Sequence, residues 1–132
     1  MKKHIHVVGA VIVEKGKILC AQRGNTKALP YKWEFPGGKI EEGETPQEAL
    51  KREIDEEMKC VVEIGEFIET TVHEYDFGFV HLSTFYCTLL EGRPTLTEHV
   101  DIQWLPAAEL NTLDWAPADI PAVEKIRGRG NS

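Results

Sequence analysis

No stretch of this sequence approaches the ~18 consecutive apolar residues that a membrane-spanning helix needs. The apolar run that follows two lysines near the start ends at Glu14 and Lys15, without the small-residue cleavage site of a signal peptide. The same run alternates in the manner of a strand. These absences predict a soluble, cytoplasmic protein with no membrane partner.

Cysteine is also scarce, and its positions lack the spacing of a metal site. Cys20, Cys60 and Cys87 form no CxxC or Cys/His zinc motif, and each lies in an apolar, strand-like run. An odd number of cysteines in such surroundings indicates buried free thiols in a reducing compartment.

Positive charge is outnumbered: 15 Lys and Arg stand against 22 Asp and Glu, which gives a formal net charge of −7. Binding to polymeric nucleic acid requires clustered cations that displace counterions, so we do not expect this class of partner. A small anionic substrate is compatible with this charge if a metal ion supplies the attraction. The 132 residues suffice for one domain, and we expect residues 127–132 to form a flexible tail.

Alternating and β-rich runs predict strands on either side of one long helix. The predicted strands are residues 4–13, 17–23, 33–39, 61–75, 79–90 and 100–105. The third is broken by Pro36, Gly37 and Gly38. Short helices are expected at residues 106–110 and 118–126. This order predicts an α/β fold with a mixed sheet and helices on both faces.

The segment TPQEALKREIDEEM carries the strongest helix signal. Thr45 is a good N-cap, Pro46 suits the first helical position, and Glu48 completes a capping box with Thr45. The helix should therefore begin directly after Thr45.

Three glutamates on this helix, Glu53, Glu56 and Glu57, are spaced i, i+3, i+4 and lie within an arc of about 100°. A solvated acidic face is one interpretation. However, the arc borders the apolar stripe of the helix, which consists of Leu50, Ile54 and Met58. Like charges at the edge of a core repel one another unless a cation binds them, and such oxygen ligands suit Mg²⁺ or Mn²⁺.

A divalent cation beside a close-approaching backbone is typical of pyrophosphate chemistry. The cation neutralises phosphate oxygens so that water can approach phosphorus. The Gly37–Gly38 turn precedes the acidic helix and would bring the backbone near the same place, although such a pair is more often only a turn.

The chain contains a spaced pattern of glycine, glutamate and arginine. It consists of Gly38, five residues, Glu44, seven residues and then the run REIDEE at residues 52–57. This pattern resembles the Nudix box, G-x5-E-x7-R-E-U-x-E-E, and a chance match is on the order of 10⁻⁵. The longer segment WEFPGGKIEEGETPQEALKRE is similar to the MutT-like branch of Nudix hydrolases. The resemblance implies an α/β/α sandwich whose box forms a loop-helix-loop. It also implies Mg²⁺-dependent hydrolysis of nucleoside triphosphates to monophosphates and pyrophosphate, which sanitises the nucleotide pool.

The resemblance implies a metal site with Mg²⁺, for which Mn²⁺ can substitute. Glu53, Glu56 and Glu57 resemble its carboxylate ligands, and the Gly37 carbonyl resembles a further ligand. Glu53 also resembles the base that activates water, a role that the family does not assign uniformly. Glu98 resembles an additional acidic ligand or base, although considered alone it is a surface glutamate.

Other box positions resemble supporting residues. Arg52 resembles the residue that orients the carboxylates, Glu44 resembles the residue that closes the box loop, and Lys39 resembles a phosphate contact. Lys59 departs from the pattern, because the family places glycine there as a left-handed helix cap. Lysine in that conformation costs about 1 kcal/mol.

The base pocket rests on fewer residues. Arg23, Glu34 and Phe35 match positions that line the nucleotide site in MutT-like proteins, although Phe35 and its neighbour Trp33 also suit a core. Asp119 matches a base contact, or is simply an acid favoured at a helix N-terminus. Its surroundings resemble bacterial CTP pyrophosphohydrolases, whereas EFPGGKIE is shared with 8-oxo-dGTP diphosphatases. His73, His81 and His99 show no ligand spacing and are interpreted as structural or surface residues.

Two other functions stay open at this point. One is a Nudix hydrolase of another diphosphate, such as ADP-ribose or a dinucleoside polyphosphate. The other is a non-catalytic module that only recognises a nucleotide, which the crowded REIDEE charges disfavour. We expect a small nucleotide as the substrate, and either a monomer or a homodimer.

Overall fold

Within residues 2–25, 28–95 and 97–130, which the computed structural model describes, seven strands form one mixed sheet. The strands are β1 (Lys3–Glu14), β2 (Lys17–Arg23), β3 (Trp33–Glu34), β4 (Gly37–Lys39), β5 (Val61–Tyr75), β6 (Gly78–Glu91) and β7 (His99–Leu105). The helices are α1 (Pro46–Met58) and α2 (Ile120–Gly130), with 3₁₀ helices at Ala107–Thr112 and Pro117–Asp119. None of the described helices is both long and apolar enough to cross a membrane.

The sheet is built around a parallel pair. Its main strand order is β3-β2-β1-β6-β5, with β4 paired to β1 and β7 paired to β2. Strands β1 and β6 run parallel, whereas the other pairs are antiparallel. The sheet is therefore mixed, as the sequence predicts.

Helices cover both faces of this sheet. Successive residues of a strand point to opposite sides, so β1 contributes side chains to both cores. Val8, Ala10 and Ile12 of β1 pack with the buried stripe of α1. Val11 faces the other way and packs into a second core with Val123 of α2. The α/β/α sandwich predicted from the sequence is confirmed.

Helix α1 begins where the sequence predicts. The Thr45 hydroxyl accepts a hydrogen bond from the Glu48 N–H at 3.1 Å, and the Thr45 N–H donates to the Glu48 carboxylate at 2.9 Å. Both bonds satisfy backbone or side-chain groups that a free helix end would leave to water. The capping box is confirmed.

The end of α1 keeps a glycine-type conformation without glycine. Lys59 has φ 56° and ψ 37°, in the left-handed region, and its N–H donates to the Asp55 carbonyl at 3.1 Å. A side chain in this conformation brings Cβ too close to the carbonyl oxygen. The strained cap expected at Lys59 is therefore present.

Lys59→Gly is expected to stabilise the protein by about 1 kcal/mol, because glycine adopts this conformation without the Cβ contact. For a domain of this size that corresponds to a rise in Tm of about 3–5 °C in a thermal melt. Lys59→Ala is the control, since alanine keeps the Cβ and should not show this gain. Equal melting temperatures for the glycine and alanine variants would contradict the argument.

The predicted C-terminal tail needs correction. Helix α2 continues to Gly130, so residues 127–130 are helical, while residues 131–132 lie outside the described part. Arg127 pairs with Glu124 one turn earlier at 3.1 Å, and Arg129 pairs with Glu66 of β5 at 2.9 Å. These ion pairs hold the last turn of α2, although its polar composition predicts fraying.

Candidate active site

Strand β4 lies directly against α1, and only glycine fits there. A Cβ at Gly38 would collide with the Glu53 carboxylate, and a Cβ at Gly37 would collide with the Val8 carbonyl of β1. The Gly37–Gly38 turn is therefore a close approach of backbone to an acidic side chain, rather than a turn alone.

Arg52 connects the acidic residues of the box. Its Nε and Nη2 donate to the two oxygens of Glu44 at 2.7 and 2.9 Å, and Nη2 also donates to the Lys39 carbonyl at 3.1 Å. Its Nη1 donates to Glu53 at 2.8 Å and to Glu56 at 3.3 Å. The two parallel bonds to Glu44 are the bidentate geometry that a guanidinium provides and an ammonium cannot.

Glu44 also closes the box loop. It accepts a hydrogen bond from the Glu41 N–H at 2.9 Å in addition to those from Arg52. These bonds, with that of Arg52 first, lower the pKa of Glu44 to about 2. Because the bonded form is the ionised one, Glu44 stays a carboxylate throughout the neutral range.

Glu57 is the least satisfied acid of the site. Burial, and then the negative charges of Glu53, Glu98 and Glu34, raise its pKa to about 8. Within the described residues, its buried Oε2 atom has no hydrogen-bond partner. A divalent cation would bond to this buried oxygen and neutralise the crowded carboxylates. It would therefore remove both the cost of the missing hydrogen bond and the cost of the charge repulsion.

Glu98 reaches this place through its loop. The Thr95 N–H donates to the Met58 carbonyl at 2.9 Å, and the Thr97 hydroxyl donates to the Glu57 carbonyl, so the loop is attached to the end of α1. Glu98 is itself exposed, but its charge acts on Glu57.

The predicted trio does not converge fully as the side chains stand. Glu53 and Glu57 lie together, whereas Glu56 is turned toward Arg52 and its side chain is 60% exposed. In the part of the chain that is described, no three His, Cys, Asp or Glu side chains are already arranged around a common ion position. Metal ligation by Glu53, Glu56, Glu57, Glu98 and the Gly37 carbonyl stays a prediction, and it requires carboxylates to rotate.

A cleft of about 510 Å³ joins this acidic end to the predicted base pocket. This volume is within the range of small-molecule sites. Its acidic end contains Gly37, Gly38, Lys39, Glu57 and Glu98. Every residue predicted to contact substrate also lines it, namely Arg23, Glu34, Phe35, Lys39 and Asp119. One continuous space therefore has room for both a phosphate chain and a base.

Asp119 is buried in the 3₁₀ helix that precedes α2, and is only 5% exposed. Its Oδ1 accepts a hydrogen bond from the Phe35 N–H at 3.1 Å. Burial, and then the negative charge of Glu34, raise its pKa well above the usual range. The hydrogen bond from the Phe35 N–H and the charge of Arg23 act in the opposite direction and favour the ionised carboxylate. Asp119 does stand at the start of the last helix, as the sequence indicates, and it also lines the cleft, so its contact with a base stays a prediction.

A search against family models matches the NUDIX domain over residues 2–126. The chain belongs to the Nudix family. It is 36% identical over 122 residues to the CTP pyrophosphohydrolase of Escherichia coli K12, covering 92% of this chain and 90% of that protein. It is 33% identical over 129 residues to the 8-oxo-dGTP diphosphatase of the same organism, covering 96% and 98%.

Solved structures agree with the fold. The solution structure of the Nudix hydrolase MutT from methicillin-resistant Staphylococcus aureus 252 is 59% identical, with a TM-score of 0.81 and coverage of 98% of this chain and 99% of that one. The crystal structure of MutT from Methanosarcina mazei Go1 has a TM-score of 0.87 at 24% identity. The chain is therefore a Nudix hydrolase that acts on nucleotides.

The sequence missed a partner of Glu34 in this Nudix cleft. Glu34 accepts from Arg23 Nη1 at 3.1 Å through one oxygen, while His99 Nε2 lies 2.9 Å from the other. The His99 side chain is buried and lines the cleft. Pairing of β2 with β7 places His99 opposite Arg23, a register that no local spacing of the histidine reveals.

Two aromatic residues of the cleft were also missed. Tyr75 and Phe77 stack at 5.0 Å with an interplanar angle of 7°, and both line the cleft. The Tyr75 hydroxyl accepts from the Ala118 N–H at 2.8 Å. Trp33 belongs to the core, as does Phe35, which also contacts Trp115 and borders the cleft.

Proposed function

We propose that this Nudix hydrolase cleaves nucleoside triphosphates to a monophosphate and pyrophosphate with Mg²⁺, for which Mn²⁺ can substitute. Cytidine triphosphates and oxidised purines such as 8-oxo-dGTP are the proposed substrates, by analogy with the two Escherichia coli relatives. The observation that carries the proposal is Glu57, whose unbonded buried oxygen lies at the acidic end of a cleft large enough for a nucleotide.

The acidic end provides the phosphate site. Glu53, Glu56, Glu57, Glu98 and the Gly37 carbonyl would hold the ion. When bound, Mg²⁺ supplies charge for the phosphate oxygens and lowers the pKa of a water ligand. Arg52 fixes the direction of the Glu53 carboxylate by its 2.8 Å hydrogen bond, so Glu53 is held ready to accept the proton of the attacking water. Lys39 supplies a positive charge for a terminal phosphate.

The other end of the cleft provides the base site. Asp119 lines this end of the cleft, and its carboxyl group can accept a hydrogen bond from the amino group of cytosine or from an N–H group of an oxidised purine. Arg23 and Glu34 are held together by hydrogen bonds at the cleft wall. The base is therefore read by polar groups that are already positioned.

Asp119→Ala is expected to lower kcat/KM about 10-fold and to destabilise the fold by ~1–3 kcal/mol, because the buried Phe35 N–H loses its acceptor. Asp119→Asn keeps an oxygen acceptor, so its Tm should stay close to that of the wild type while its ranking of bases changes. Steady-state kinetics on CTP and 8-oxo-dGTP, with thermal melts of both variants, test this. An unchanged ranking in the asparagine variant would remove Asp119 from base selection.

A nucleotide panel tests the proposed reaction. CTP, dCTP, 8-oxo-dGTP, ADP-ribose and a dinucleoside polyphosphate are each incubated with enzyme and Mg²⁺, and pyrophosphate and orthophosphate are measured separately. We expect pyrophosphate and a monophosphate from a triphosphate, with the preferred base found by direct competition at low concentration. Orthophosphate as the main product, or turnover of ADP-ribose alone, would contradict the proposal. Binding of nucleotides without turnover would indicate the non-catalytic module.

The cellular setting is part of the same proposal. Cys20, Cys60 and Cys87 are free and buried, which confirms the predicted buried thiols. Burial raises the pKa of Cys20 and of Cys87 to about 12, so these thiols are unreactive. Free thiols suit the cytoplasm, where the enzyme would act on the nucleotide pool as a monomer or homodimer.

A further inference from the structure

Three histidines lie together near the start of β1, on the face of the sheet that α1 covers further along the strand. His4 and His6 are alternate residues of β1, and His81 lies directly opposite His6 on the parallel strand β6. Ile5 and Val7, which point to the other face, line the cleft. The histidine cluster therefore lies behind the part of the cleft lined by Ile5 and Val7, on the same face of β1 as Val8, which packs with α1.

The rings of the histidine cluster are in mutual contact. His4 Nδ1 and His81 Nε2 lie 2.8 Å apart and share a hydrogen bond. The ring centroids of His6 and His81 are 4.4 Å apart, and those of His4 and His81 are 5.1 Å apart. His4 and His6 are solvent-exposed, so the cluster is open on one side.

The His4 and His81 rings lie near the spacing of two ligands of one ion, although no three such side chains in the described residues already surround a common ion position. Imidazoles that bind one tetrahedral ion with metal–nitrogen distances of about 2.0–2.1 Å place their donor nitrogens roughly 3.3 Å apart and their ring centroids roughly 5 Å apart. The His4 and His81 nitrogens, which lie 2.8 Å apart, would have to separate by about half an ångström to bind one cation.

We propose that His4, His6 and His81 form a second metal site that takes a borderline-soft divalent ion, Zn²⁺ or a similar transition metal. Three imidazoles with a fourth position open to solvent are a recognised zinc donor set. The site differs in kind from the glutamate end of the cleft, whose oxygen donors suit Mg²⁺. The two sites therefore select different ions.

Some rearrangement accompanies binding. The His6 ring lies stacked at 29° on His81, so it must rotate about its side-chain bonds to point a nitrogen at the ion. Its exposure leaves room for this rotation. His4 also stacks on Phe79 at 5.0 Å, which holds one ligand in place before the ion arrives.

The surroundings of His81 favour its neutral imidazole, which is the form that binds metal. Partial desolvation, and then His6 and His4, lower the pKa of His81. The nearby charges, Lys2 and Glu74, pair with each other at 2.7 Å and offset one another. The lowered pKa of His81 makes its lone pair more available to a metal ion near neutral pH.

An ion at this position would join β1 to β6, the parallel pair at the middle of the sheet. Because it binds the folded chain, it stabilises that chain by RT ln(1 + [metal]/Kd). A rise in Tm with Zn²⁺ is therefore expected at saturating Mg²⁺, independently of nucleotide turnover.

The test is a titration of the Mg²⁺-saturated protein with Co²⁺, a spectroscopic substitute for Zn²⁺, followed by calorimetry and by visible absorption. We expect one equivalent to bind, with nitrogen-ligand absorption bands. His6→Gln and His81→Gln should each weaken binding by roughly 10–100-fold or more. His73→Gln is the matched control, because His73 lies on β5 opposite Val80 and so on the other face of the sheet.

Two results would overturn the proposal. One is the absence of Co²⁺ binding at micromolar concentrations in the wild type. The other is binding that His6→Gln and His81→Gln leave unchanged, which would place the ion among the glutamates instead. Melting curves of both variants without metal show whether they are folded. Because the readout is binding and not hydrolysis, this outcome does not depend on the proposed reaction.

Discussion

Glu57→Gln is expected to lower kcat/KM by roughly 10²–10³-fold, and at the same time to make the metal-free protein more stable. Glutamine cannot supply the negative charge that a cation requires, so activity is lost. The same change removes a half-buried carboxylate that burial and three neighbouring acids disfavour. A residue kept at a cost to stability is typical of a functional site.

The stability gain has a defined pH dependence. The folded pKa of Glu57 is about 8, above its ordinary value of 4.5, so the folded state binds more protons than the unfolded state between these values. The contribution of Glu57 to the stability of the wild type therefore falls as pH rises through that window. The Tm difference in favour of Glu57→Gln should be near zero at pH 4.5 and should grow to about 3–5 °C at pH 8 without metal.

Thermal melts at several pH values, with and without Mg²⁺, and steady-state kinetics check both parts. Mg²⁺ should raise the Tm of the wild type and have little effect on Glu57→Gln. Asp55→Asn is the matched control, since Asp55 is an exposed acid of the same helix and its loss should leave turnover unchanged. Full activity in Glu57→Gln would show that the metal assignment is wrong.

Arg52→Lys is expected to reduce kcat by roughly 10–100-fold while the protein stays folded. Lysine keeps the positive charge but cannot hold both oxygens of Glu44 and also reach Glu53 and the Lys39 carbonyl. The Glu53 carboxylate then loses its fixed direction. Because Arg52 acts through Glu53 and not on substrate, kcat should fall more than KM rises.

A double-mutant cycle tests whether Arg52 acts as a positioning residue. Glu44→Gln should also reduce kcat, and the combination with Arg52→Lys should cost much less than the product of the two single effects. The control is Arg93→Lys, because Arg93 pairs with Glu14 of β1 at 2.8 Å rather than with a box acid and is 70% exposed. Additive losses in the cycle would mean that the two residues act separately.

Local signals made α1 and its acidic face predictable. The capping box uses bonds between residues three apart, so its energy is contained in the segment itself. The 3.6-residue period likewise decides which side chains share a face with the buried stripe. Strands and turns were predictable for a similar reason, because alternation and Gly or Pro punctuation are local.

Long-range pairs were not predictable by this route. Asp119 and Phe35 are 84 positions apart, and their contact accompanies the burial that raises the pKa of Asp119. His99 meets Glu34 through the register of β2 and β7. The histidine cluster likewise depends on the pairing of β1 with β6, which joins residues 77 positions apart.

The sequence by itself determined the start of α1, the acidic face of that helix, the Gly-Gly approach and membership of the Nudix family, since each depends on spacing within a short segment. Tertiary structure alone decided the direction of Glu56, the burial of Asp119, the partner of Glu34 and the contact among His4, His6 and His81. Burial and strand register bring these groups together, and both depend on how the whole chain packs rather than on the order of neighbouring residues.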